Sequence, residues 1–215
     1  MRYAGSKSWK ILINEWDQQL EWPLWLRAAE RIPVPAGGEV PGPLDIHPLP
    51  EPASASGEVL AKGWLYWWRA VLGLQLHSEQ EARQWAARTG PVAEGWFGPP
   101  DFGALEPFPE LQRVAVARWP EMADWQSARK RSGIADRREE ARSPGHGRYS
   151  TGAVVRAVEA EIGHPAAPFE LHLVLLPVAE DEIRGIGGRT FLVPERLDDT
   201  PAYEAWLHRV VRALA

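Results

Sequence analysis

The side chains able to do chemistry in this chain are scattered, and their spacing excludes more than it names. Six histidines (His47, His77, His146, His164, His172 and His208) include no pair four residues apart and no HExxH run. A helical zinc site needs that spacing to bring two imidazoles onto one face, so no metal is expected. His172 lies in a strongly apolar stretch and reads as a core histidine, and the acidic run Glu180-Asp181-Glu182 has no histidine beside it. The chain has no cysteine, which removes disulfides, thiolate catalysis, zinc fingers and iron–sulfur clusters. No GxSxG, kinase signature or paired-carboxylate motif occurs. The residues therefore point away from an enzyme, and no cofactor is expected.

Two glycine-rich segments deserve chemical reading. In GHGRYSTG, Gly145 to Gly152, the free N–H groups of a helix start and the Arg148 guanidinium would hold a phosphate or carboxylate. Gly147, Arg148, Ser150 and Thr151 are its candidate anion-binding residues, with His146 as an acid or base. The P-loop lysine is missing and no strand precedes, so a linker ending in a Ser/Thr cap is the simpler reading. GIGGR, Gly185 to Arg189, resembles a dinucleotide fingerprint only superficially, because TFLVP follows it in place of a helix. A turn between two strands accounts for it.

The most concentrated chemistry is aromatic. Eleven of twelve tryptophans fall in the first 125 residues. Trp64, Trp67 and Trp68, with Val59, Leu60, Val71 and Leu72, recur at the spacing of one broad helix face, so core packing is expected of them. Trp85 and Trp206 follow helical spacing as well. Trp96, Phe97 and Phe102 differ: they sit without periodicity in residues 91–109, among five prolines. Surface aromatics in loops are common anchors for partners, so these three are the candidate partner-binding residues.

The elements that must position these residues can be outlined. Residues 9–16 read as a strand, and Pro23 fits the first position of a helix through LWLRAAERI. Pro33 to Ser56 holds seven prolines and three glycines, an extended loop or an arm lying on another surface. Ser78 and Glu81 form a capping box for a helix that Thr89-Gly90 ends. Leu111–Arg118 reads as a helix and Pro120 as the start of another. Residues 126–148 carry seven Lys/Arg against three acids, a local +4 in a chain of net −5, and almost no large apolar residues. A basic linker or an exposed charged helix is expected there. Ser150 or Thr151 then caps a helix ending at Gly163, Phe169–Val178 is a strand buried on both faces, Arg189–Val193 a second, and Asp199-Thr200-Pro201 opens a terminal helix.

The expected fold is α+β in one domain, residues 1–215. A Trp-rich, mainly helical part (1–125, with the Pro-rich loop 33–56) would pack on a small sheet from residues 9–14, 169–178 and 189–193. The basic linker 126–148 would lead to an α/β part, 149–215, of helix–strand–strand–helix, with the terminal helix covering one sheet face. Four lysines against twenty arginines fit the codon supply of a GC-rich bacterial genome. No signal-peptide pattern and no run of the roughly 18 apolar residues a spanning helix needs is present, so a cytoplasmic protein without membrane partners is expected. Net charge argues against nucleic acid, whose only candidate contacts are Arg129, Lys130, Arg131, Arg137 and Arg138. The function expected is a non-catalytic interaction protein, an adaptor or immunity-type component binding a protein partner through aromatic, Pro-rich loops. The alternative is an enzyme or ligand-binding protein with an anion pocket at 145–151.

Overall fold

A computed structural model describes residues 2–5, 9–53, 57–76, 79–90, 96–142 and 151–215. A five-stranded sheet runs in the order β1-β2-β3-β5-β4. Strands β1 (Arg2–Gly5), β2 (Trp9–Asn14), β3 (Phe169–Leu176), β4 (Arg184–Gly185) and β5 (Thr190–Pro194) make it up. The central three are parallel, and the two edge strands pair antiparallel. The expected strands form. The edges β1 and β4 are additions, too short and irregular to show a period of two. GIGG turns between β4 and β5.

Both faces of the sheet are covered, as the continuous apolar run of β3 requires. Ile11, Ile13, Leu171, Leu173, Leu175 and Val193 pack under α5 (Thr151–Ile162) and α6 (Pro201–Leu214). Val174, Leu176 and Leu192, on the opposite face, join the larger helical core. That core is made by α1 (Gln18–Ala29), α2 (Gly57–Gly73), α3 (Glu79–Thr89) and α4 (Pro109–Arg142). Thr200 caps α6 and Pro201 opens it, in agreement with the sequence. Ser78, assigned to a cap, lies outside the described residues.

The tryptophans build this core. Trp64, Trp67 and Trp68 are fully buried, and Trp64 stacks on Trp68 at 5.7 Å between centroids. Trp22, Trp67 and Trp119 surround Phe102 edge-on. The buried indole N–H groups of Trp64, Trp68 and Trp85 donate to the Pro23, Glu39 and Arg69 carbonyls, whereas those of Trp22 and Trp67 find no partner among the described residues. Trp206 is partly buried against Phe191 and Tyr203.

Three expectations need correction. Helix α1 starts at Gln18, not Pro23, because Asp17 caps it by accepting from Gln19 N and Leu20 N; Pro23 sits inside. Helix α4 likewise runs through Pro120 as one element of 34 residues, about 50 Å long. Its second half is most of what the sequence marked as the linker 126–148, and residues 143–148 lie outside the described residues. Apolar periodicity fails there because the inward face is charged: Arg129, Gly133 and Arg137 recur every fourth residue.

The Pro-rich segment, described through residue 53, does lie on a surface, but that surface is this chain's own. Arg27 donates to the Pro41 and Gly42 carbonyls, Asp45 N to Pro177 O, and Ala179 N to Pro43 O. Glu30 accepts from Ala53 N and from Arg118, which also holds Glu51 O. A Pro-rich chain has few ladder donors, and buried arginines supply them instead.

Candidate functional site

The loop that leads into α4 is the first candidate, and it divides its aromatics sharply. Phe97 is 4% exposed and Phe102 0%, whereas Trp96 is 48% exposed. Phe97 lies 6.2 Å from Tyr66 between ring centroids, and Phe102 is enclosed by the three indoles above. The two phenylalanines therefore do not stand on the surface as partner contacts; they fasten the loop to the core. Phe102 takes φ 51°, a left-handed conformation unusual for a bulky residue, and the packing around it holds it there.

Hydrogen bonds complete the fastening. Phe102 N donates to Gly98 O and Ala104 N to Trp96 O. Gln112 on α4 donates to Asp101 O at 2.9 Å, and the Asp101 carboxylate caps Gly103 N. Above this frame the Trp96 indole lies over Gly98, where an added Cβ would stand 2.6 Å from its nitrogen. The same nitrogen donates to Pro99 O at 3.1 Å. The ring is thus displayed rigidly, with its N–H already used and its apolar face in water. Asp101, Glu106 and Glu110 are the charged residues of 96–112.

A second candidate is a polar cleft of about 540 Å³ at the carboxyl ends of β2, β3 and β5, closed by the second half of α4. Glu15 and Trp16 follow β2, Glu195 follows β5, and Asp198 and Asp199 lie beyond. Ligands of open α/β sheets collect at strand carboxyl ends. Glu15 is paired with Arg137, which also lies over the Trp16 ring at 4.2 Å. Gly133 leaves room for that ring, since a Cβ there would meet it at 2.7 Å. Arg129 bridges Glu21 at 2.6 Å and Glu195 at 2.6 and 2.7 Å.

Burial pushes the Glu21 carboxyl up to about 7, against the pull of Arg129. Burial would lower the Arg129 guanidinium, but the hydrogen bonds it donates to Glu195 and the charge of Glu21 outweigh this and hold it raised. The two directions fit together because Glu195, partly exposed, keeps Arg129 charged in either state of Glu21. Glu21 itself is fully buried, and its Oε2 finds no hydrogen-bond partner among the described residues. The titrating member is Glu21.

The basic tract is thereby reassigned in part. Arg129 and Arg137 point inward to carboxylates, while Lys130, Arg131 and Arg138 are exposed. The sequence could not reveal the Glu21–Arg129 pair, whose members are 108 positions apart. Of the anion-binding candidates, Gly147, Arg148 and Ser150 lie outside the described residues, as does His146, and Thr151 opens α5. His172 is buried and pairs with Glu170 at 2.8 Å. No group of three His, Asp or Glu side chains converges as a metal site among the described residues. No helix among them is long and apolar enough to cross a membrane. Comparisons with protein-family models, curated proteins and solved structures find no match to this chain.

Proposed function

We propose that the protein is a non-catalytic binding protein that presents Trp96 to a protein partner. The observation that carries this reading is the division of labour in the loop: Phe97 and Phe102 are buried, and Trp96 is held in water by Gly98 and the Pro99 carbonyl. An aromatic fixed before binding loses little entropy on docking, which is what makes tryptophan a frequent hot spot. Because the indole N–H is already satisfied, the partner meets an apolar face and supplies an apolar or proline group. Asp101 and Glu106 follow Trp96 closely in sequence, while Glu110 is paired with Arg113 at 2.7 Å, and the two remaining acids favour a partner segment carrying Lys or Arg beside that group. The described part of the Pro-rich arm, residues 33–53, is hydrogen-bonded to its own chain.

A photoreactive aromatic amino acid placed at position 96 tests the reading in cells of the source organism. A discrete adduct is expected at 96 and none at Val59, which is also exposed but lies on α2. The adduct should map to a basic segment of the captured protein. Equal labelling from both positions, or an acidic captured segment, contradicts the proposal.

A further inference from the structure

Helix α3 touches the β4–β5 turn through one carboxylate. Gly188 N and Arg189 N both donate to Glu81 Oε1, at 2.6 and 3.2 Å. Successive backbone N–H groups converging on one oxygen form a nest, a concavity of partial positive charge that selects anions. The turn approaches that oxygen closely: a Cβ on Gly187 or Gly188 would stand 3.0 or 3.2 Å from it. Beside the nest lies an open cleft of about 560 Å³ lined by Gln84, Ala87, Arg88 and Ile186. Arg189, next in the chain after the turn, is exposed.

We infer that this nest is a binding site for a phosphate-type anion and that the Glu81 carboxylate occupies the anion's place. A phosphate carries more charge than a carboxylate and, with one oxygen held by the two N–H groups, has others left for Arg88, which lines the cleft. Access needs no movement of the fold. Gly188 and Arg189 are solvent-exposed, and α3 stays anchored by its one buried side chain, Trp85, which donates to Arg69 O. Rotation of the Glu81 side chain into water opens the site. The ligand is a free phosphate or a small phosphomonoester whose organic part lies in the cleft. The inference is independent of Trp96.

Titration of the full chain with inorganic phosphate and, separately, with glycerol phosphate, followed by calorimetry, tests this. Competition by Glu81 reduces the apparent affinity of wild type by the fraction of open sites, so Glu81→Ala should bind about tenfold tighter or better. Tighter binding of glycerol phosphate than of phosphate identifies an organic ligand, and equal binding identifies the free anion. Adding Gly188→Ala to Glu81→Ala sets a Cβ 3.2 Å from the bound oxygen's place and should weaken binding about threefold or more while circular dichroism stays unchanged. If Glu81→Ala only lowers the melting temperature and binds neither probe saturably, or if Gly188→Ala leaves the affinity unchanged, the inference is overturned.

Discussion

Trp96 keeps nearly half its surface in water while Phe97 and Phe102, one and six residues on, keep almost none, and the two environments predict opposite consequences of truncation. Trp96→Ala removes burial mainly against its own loop, at Gly98 and Pro99, and should change stability by about 1 kcal/mol or less. Phe97→Ala and Phe102→Ala open cavities in a tightly packed aromatic cluster and should each cost about 3–5 kcal/mol. Urea unfolding separates these outcomes, and a Trp96→Ala loss as large as that of Phe102→Ala would show that Trp96 belongs to the core. Glu21 offers a second residue-scale expectation. Its carboxyl ionises near 7 in the fold against 4.5 ordinarily. Between these values the folded state holds a proton that the unfolded chain has released. Stability from this group therefore falls as pH rises from about 4.5 to about 7 and is level above. Glu21→Gln removes the fall, so at about pH 8 the variant should be the more stable by about 1–3 kcal/mol, with no advantage at about pH 4. A variant less stable than wild type at the higher pH would mean that the charge pair with Arg129 outweighs burial.

At the scale of the element, the first half of α4 is held by Leu111, Val114, Ala115 and Met122 in the core, and the second half by charged residues. Alanine in place of a helical glycine normally gains about 1 kcal/mol. At Gly133 the new Cβ would meet the Trp16 ring, so Gly133→Ala should instead cost about 1–3 kcal/mol. In a Trp16→Ala background the helix gain should return, and simple additivity in that double-mutant cycle would contradict the packing. This helix also shows where the sequence stops being legible. Helix α2, α6 and strand β3 can be read directly, because apolar side chains bury them and leave a period of 3.6 or an unbroken run. The second half of α4 is buried by ion pairs, so Arg129, Gly133 and Arg137 leave no apolar trace and look like a linker. Pro23 and Pro120 mislead for a related reason: the Asp17 cap and the length of α4 fix the helices, and a proline inside costs less than what surrounds it contributes. The aromatic loop was legible as composition alone. Which of Trp96, Phe97 and Phe102 faces water depends on Tyr66, Trp67 and Trp119, contributed by other helices.

Across the whole molecule, one sheet serves two cores. Val174 and Leu176 of β3 belong to the helical side, and Leu171, Leu173 and Leu175 to the side of α5 and α6. Neither side can lose its packing without exposing the strand that supports the other. Thermal unfolding followed by near-ultraviolet dichroism, dominated by the tryptophans of the helical side, and by far-ultraviolet dichroism should therefore show coincident transitions. Two separate transitions would mean that the cores fold independently. Within this single frame the Pro-rich arm and most of the tryptophans serve the fold, and Trp96 stands apart from them on its braced loop. The most direct measurement is the affinity of the partner captured at position 96, titrated against wild type and Trp96→Ala. The account predicts a loss of about thirtyfold or more, the scale of a hot-spot residue, with an unchanged melting temperature. Unchanged affinity, or a loss that tracks a fall in melting temperature, would contradict it.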